Sequence, residues 1–248
     1  MNIYLNLQVY QSRILFQEVK NTKDFLTVKL KLLEYLLTFW YGNEDVHPPF
    51  LYINTERPQR VFLVNSNENK IVSFGFEFLV KTENYDTSLP TNYIKFINYR
   101  GKQGIITLQT VSEAQTLLQL YSERSDNLYC FTVLENDEKL SEESERLFEH
   151  ILFSEAGYIR YDYDPKGYKP NTHPLHHFDV NFSEVVHYKL GLQKRMKMED
   201  VSDILNLEKA CAQLHWQSQV GIQRNIRGKN SKKERNIQKS ENELQFRE

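Results

Sequence analysis

Between Tyr158 and Phe182 the chain gathers the side chains best suited to chemistry: Arg160, Asp162, Asp164, His173, His176, His177 and Asp179. Three kinds of chemistry follow from those types. An imidazole beside a carboxylate serves as general acid or base near neutral pH, the carboxylate holding the orientation of the ring. A guanidinium such as that of Arg160 can grip a phosphate with its planar fork. His173, His177 and Asp179 could together hold a divalent metal, since imidazole and carboxylate are suitable ligands, but their spacing matches no zinc signature. A fourth reading is structural: Arg160 and Asp162 pair across a sheet, Asp164-Pro165 opens a turn, and His176 is a hydrogen-bonded core residue.

Strand periodicity decides which of these groups meet. Residues two apart on an extended chain share a face, so Arg160, Asp162 and Asp164 point one way and Tyr161 and Tyr163 the other. Pro165, Gly167 and Pro170 then break the strand. A second alternation sets His177, Asp179 and Asn181 against His176, Phe178, Val180 and Phe182. The apolar members of the latter set are expected to meet the core, leaving His177 facing a site outside it. Residues 157–164 and 175–182 are therefore expected to be adjacent antiparallel strands. The face bearing Arg160 and Asp162 would then meet the face bearing His177 and Asp179, in a concavity partly open to solvent.

The surrounding elements read as an α+β fold, an antiparallel meandering sheet with an N-terminal helical segment, flanking helices and a polar C-terminal tail. Residues 12–41 carry Phe25, Val28, Leu32, Tyr35, Leu36 and Phe39 at helical spacing, and Gly42-Asn43 stops them. Residues 48–134 are rich in strands, at 50–54, 60–64, 71–81, 93–99 and 104–111, with a buried strand over 128–134. Within them Ser112 is a candidate N-cap for a helix running to about 122. Residues 141–156 form a helix with Leu147, Phe148, Ile151 and Leu152 on its apolar face and Gly157 at its end. The motif hairpin occupies 157–182, residues 185–190 extend the sheet, and a last helix covers 199–215. Residues 1–217 thus make one domain. The stretch 218–248 is a polar, locally basic tail whose Arg224, Arg227, Lys229, Lys232, Lys233 and Arg235 are either solvated or contact a phosphate backbone.

Composition limits the function classes. With 248 residues, 15 Tyr and 15 Phe, the chain can build a sizeable core, and a formal net charge of −2 makes it no polycation. Nucleic-acid binding would have to rest on a local patch. Cys130 and Cys211, far apart, fit a reducing cytoplasm rather than a disulfide framework, and Cys130 sits in an apolar run as a structural thiol. Asn2, Asn6, Gln8 and Gln11 interrupt any secretory core, and the apolar stretch 30–41 is too short to span a bilayer. The expectation is a soluble, cytoplasmic protein without a membrane partner.

Ile159-Arg-Tyr-Asp-Tyr-Asp-Pro165 followed by His173-Pro-Leu-His-His177 resembles the bacterial domain-of-unknown-function family 2290, and the likeness extends over most of residues 12–215. The same hairpin resembles, over about 25 residues, the TumE-type bacterial toxins, which also join an Arg-Tyr-Asp strand to a histidine-rich one. That second resemblance implies that Arg160, Asp162, His173 and His177 form the corresponding group, and that toxicity acts on a nucleic acid or nucleotide. On this reading the chain is a toxin or defence-type effector acting on RNA, DNA or a nucleotide. His177 is the general base or acid, Asp179 or Asp162 orients it, Arg160 holds the phosphate and His173 is the second proton carrier. No cofactor is needed unless the divalent-metal set is used, as in a metal-dependent nuclease. The alternative is a non-catalytic component that meets a cognate protein encoded nearby.

Overall fold

Ile3 and Leu5, Leu51 and Ile53, Val61 and Leu63, and Val72 and Phe74 each stand two residues apart, so on extended chains each pair shares a side. All eight are buried. The computed structural model describes the backbone of residues 2–39, 45–83, 91–97, 101–123, 140–183, 185–206 and 208–209, with all their side chains except those of 81–83, 91–93 and 122–123. These residues belong to one compact unit, 1–211. They contain ten strands and five helices, an α+β fold.

Seven strands make an antiparallel sheet. In chain order they are β1 (Asn2–Asn6), β2 (Phe50–Asn54), β3 (Arg60–Val64), β4 (Lys70–Gly75), β8 (Ile159–Tyr163), β9 (His176–Val180) and β10 (Tyr188–Leu192), which is also their spatial order. Between β4 and β8 the chain leaves to form a second, three-stranded antiparallel sheet of β5 (Leu79–Glu83), β6 (Thr91–Ile97) and β7 (Gln103–Ile106). The helices are α1 (Val9–Leu15), α2 (Thr22–Phe39), α3 (Leu108–Glu123), α4 (Glu142–Phe153) and α5 (Met198–Ile204). None of the described helices is long and apolar enough to cross a membrane.

The inward face of β1–β4 packs with α2, α3 and α4 into the main core, in which Leu30, Leu33, Leu36 and Leu147 are fully buried. Each such side chain contributes roughly 1.5–3 kcal/mol of apolar burial. α2 starts where Asn21 Oδ1 accepts from the Asp24 amide at 3.0 Å, and it turns Phe25, Val28, Leu32 and Leu36 inward at spacings of three and four. The opposite face of the sheet is a smaller apolar layer: Tyr52, Phe62, Ile71, Tyr161 and Phe178, closed by Met196, Met198 and Val201 from the α5 region.

Several elements differ from expectation for identifiable reasons. Residues 71–81 are two strands in two sheets, because the chain leaves the large sheet at Gly75, where a Cβ would come within 3.3 Å of the Glu155 carbonyl. Glu77 then turns to the buried Lys29 ammonium, 2.5 Å away, which Ser154 Oγ also accepts from at 2.7 Å. Strand 104–111 stops at Ile106, since Thr107 Oγ1 accepts from the Thr110 amide at 3.1 Å and starts α3 four residues before Ser112. α4 is capped by Ser141, with the Ser144 amide 3.2 Å from the Ser141 hydroxyl. It stops at Phe153, however, because Ser154 is extended. Gly157, at φ 48°, lies beyond the helix end, where its carbonyl accepts from Arg60 at 2.5 Å. α5 ends at Ile204, as Asn206 Oδ1 takes the Glu208 amide at 2.9 Å and turns the chain; residues 207 and 210–215 of the helix expected over 199–215 lie outside the described residues. The strand expected at 128–134, with Cys130, and the tail from 218 lie outside the described residues.

Candidate functional site

The face that is hydrocarbon on β1–β4 becomes ionic on β8–β10. β8 and β9 pair antiparallel with Arg160 opposite Asp179 and Asp162 opposite His177, the meeting of faces that their alternation implies. β10 adds Lys189 opposite Asp179 and Gly191 opposite His177. Cross-strand neighbours on one face lie about 4.5–5.5 Å apart at Cβ, so these five side chains must interact.

Arg160 spans two carboxylates: Nε donates to Asp162 Oδ2 at 2.6 Å, and a terminal nitrogen donates to Asp179 Oδ2. Lys189 Nζ donates to Asp179 Oδ1 and to His177 Nε2, the latter at 3.2 Å. His177 is fixed from both ends. Its Nδ1–H donates to the Pro174 carbonyl at 2.7 Å, which makes Nε2 the acceptor that receives Lys189. Asp162 Oδ2 and Asp179 Oδ1 stand 3.9 and 3.8 Å from His177 Nε2.

The charge state follows from burial. The His177 imidazole has no exposed surface, and desolvation, reinforced by the Lys189 charge, holds its pKa below the ordinary histidine value. Burial by itself would raise Asp179, but the Lys189 hydrogen bond and the Arg160 charge win and hold its carboxyl below the usual range. Arg160 is desolvated as well, which opposes its charge, yet Asp162 and Asp179 keep it firmly protonated. Two cations and two carboxylates cancel around a neutral ring.

That arrangement corrects the expectation for His177. The ring does not face an open site; it is more deeply buried than His176, which is stacked 5.0 Å from Tyr163 and accepts from the Tyr161 hydroxyl at 3.2 Å. Both faces of this hairpin are covered. The loop 164–175 brings Pro174 over one, and the α5 region covers the other. The Arg160 fork is likewise closed on protein carboxylates rather than held open for phosphate. Cavities of about 240 Å³ against α1 and α2 and about 200 Å³ against α2 and α3 share no residue with the cluster.

His173 stands at the rim. Its ring centroid is 4.6 Å from that of His177, and its Nε2–H donates to Asp164 Oδ2 at 3.1 Å. Asp164 is held by the Lys166 and Gly167 amides, and its pKa is lowered chiefly by the Gly167 bond. Sequence reasoning passed over two further groups. Lys189 anchors the cluster, and His187 places Nε2 3.3 Å from Asp179 Oδ1 with about a third of its side chain exposed. The alternation of Lys189 with Tyr188, Leu190 and Leu192 was the available signal, since it puts Lys189, beside Gly191, on the polar face.

Among the described residues, the set whose ligand atoms lie within 4.8 Å of one another is Asp162, His177 and Asp179, so His173 of the expected metal set is replaced by Asp162. The Lys189 ammonium already engages two of those donors, a cation in the place where a divalent ion would have to bind. The basic residues Arg224, Arg227, Lys229, Lys232, Lys233 and Arg235 lie outside the described residues. Comparison of the chain with protein-family models, curated proteins and solved structures gives no match.

Proposed function

We propose that the chain is a bacterial toxin or defence-type effector that acts on a phosphodiester or phosphate ester of RNA, DNA or a nucleotide at the rim of this cluster. One observation carries the proposal: two solvent-reaching imidazoles, each beside a carboxylate, lie at a network that also holds an ammonium with a spare donor. His173 is set by Asp164 and His187 lies by Asp179. Lys189 uses two of its three N–H donors within the protein and is about a quarter exposed, so one remains for a phosphoryl oxygen. One imidazole takes the proton of an attacking hydroxyl as its oxygen bonds to phosphorus. The other gives a proton to the leaving oxygen as the P–O bond breaks. Each proton transfer is worth about 10²–10⁴ in rate. Arg160, Asp162, His177 and Asp179 are positioning residues that hold Lys189 and the two histidines. The likeness of the hairpin to TumE-type toxins supports the substrate class, a cytoplasmic setting and a cognate partner protein.

A second reading is favoured by the closure of the Arg160 fork and the balance of charge: a structural network inside a non-catalytic component of a multi-protein system. Inducible expression separates the two. Wild type is expected to arrest growth and degrade or modify RNA, while His173→Ala and His187→Ala do neither and melt close to wild type. Full toxicity in both variants overturns the catalytic reading and leaves the second.

A further inference from the structure

β10 ends the strand order, and no described strand pairs with its outer edge. A bare edge is a template for another strand, and proteins usually guard it with an outward lysine, a proline, a bulge or a cover. β10 has no proline, and its one charged residue is turned away from the guarding position, since Lys189 reaches over its own sheet to Asp179 and His177. What remains at the edge is uncharged. Tyr188 and Val186 are half exposed, and Val185 is 91% exposed on the approach to the strand.

We infer that β10 pairs antiparallel with β10 of a second copy of this chain, about a two-fold axis through Leu190. The strand reads Tyr188-Lys-Leu-Gly-Leu192, and about its centre it is self-complementary. Tyr188 faces Leu192 of the partner subunit, and Leu190 faces the partner's Leu190, which continues the apolar layer to which Leu190 and Leu192 already belong. On the other face Lys189 meets the partner's Gly191, the residue with no side chain to crowd the ammonium. Other centres are worse. An axis through Lys189 sets two ammoniums opposite each other, one through Gly191 sets Tyr188 against the partner's Lys194, and one through Tyr188 sets Lys189 against the partner's His187. The centre at Leu190 is also the one that pairs all five residues.

Self-complementarity of this kind is what an isologous two-fold interface requires, and it selects a second copy over an unrelated strand. Fourteen strands then form one sheet, with both ionic clusters on the same face. Five pairs of residues bury less than the roughly 1,600 Å² of a standard interface, so the association is weak and concentration-dependent, in the micromolar range.

Sedimentation velocity of the full chain from about 1 to 200 µM, a span that brackets a micromolar constant, is expected to move from monomer to dimer. Tyr188→Lys should weaken the association at least about tenfold, because it puts a charge into the apolar strip. Directly opposed positions bring Cβ atoms within disulfide reach. Leu190→Cys should therefore cross-link into dimer on mild oxidation well above the wild-type background, while Leu192→Cys, which faces Tyr188, should not. A chain that sediments as monomer throughout overturns the inference, as does equal cross-linking by the two cysteine variants.

Discussion

Truncating His177 to alanine tests the buried network most directly. The imidazole has no exposed surface, donates to the Pro174 carbonyl at 2.7 Å and accepts from Lys189 at 3.2 Å. Removing it leaves a void the size of a ring, worth about 2–4 kcal/mol by the behaviour of other large-to-small changes. It also orphans the Pro174 carbonyl, which adds about 1 kcal/mol. No Coulombic penalty follows, because the ring is neutral and the two cations still face two carboxylates. The expected loss is about 3–5 kcal/mol, a fall in the thermal midpoint on the order of 10 °C for a domain of this size. A pH signature accompanies it. The folded pKa of His177 lies below the unfolded value of about 6.5, so between the two the unfolded chain binds more protons. Stability is then full above about pH 6.5 and falls on acidification, by up to about 1.4 kcal/mol per pH unit for each such group. Burial depresses His150 and His176 in the same direction, so among the described histidines His177→Ala should remove one of three such contributions to the acid slope. Urea unfolding at pH 7 and at pH 5.5 reads both quantities. A wild-type midpoint at pH 7, or an unchanged slope, refutes the reasoning.

Asp179→Asn should cost about 3–5 kcal/mol, since it leaves Arg160 and Lys189 facing one carboxylate, and adding Lys189→Met should recover about half of that by restoring balance, as read by calorimetry on the cycle. The wild-type contribution of Asp179 is present above about pH 4 and lost as pH falls through its depressed folded value, so the acid limb of the stability curve should flatten in Asp179→Asn. Arg160→Lys keeps the charge but cannot span Asp162 and Asp179 together, and should lower stability by about 1–2 kcal/mol in urea titration. Lys29→Met should cost about 3 kcal/mol by stranding Glu77 beside the core, with partial recovery when Glu77→Gln is added.

The motif hairpin was legible because a period of two is unambiguous over Arg160–Asp162 and His177–Asp179, but its register was not, since alternation alone does not say which residues stand opposite one another. Its burial was not legible. Alternation tells which residues share a face, whereas the cover over that face comes from Pro174 and Lys189, which lie outside the two alternating runs. Phe74, Phe76 and Phe78 read as one strand because all three do point into the same core, yet the backbone turns at Gly75 between two sheets. The start of α3 was missed because Thr107 and Ser112 are equally plausible caps in isolation, and the Thr110 amide decides between them. β1 carries the alternation of Ile3 and Leu5 but is only five residues long, too short for a period of two to stand out in the sequence.

Remove residues 76–158 in thought, and the seven strands of the large sheet follow one another in space as they do in sequence. The small sheet, α3 and α4 therefore behave as an insertion into an up-and-down meander, and its two ends are already side by side, with the Gly75 amide 3.1 Å from the Ala156 carbonyl. Joining β4 to β8 means closing a loop of roughly eighty residues, at an entropic cost of about 4 kcal/mol beyond the constant for any closure. That cost falls on the seam between the hydrocarbon and ionic halves of the sheet. β2–β4 and β8–β10 are local meanders able to form early, and the insertion sets how long they must wait for each other.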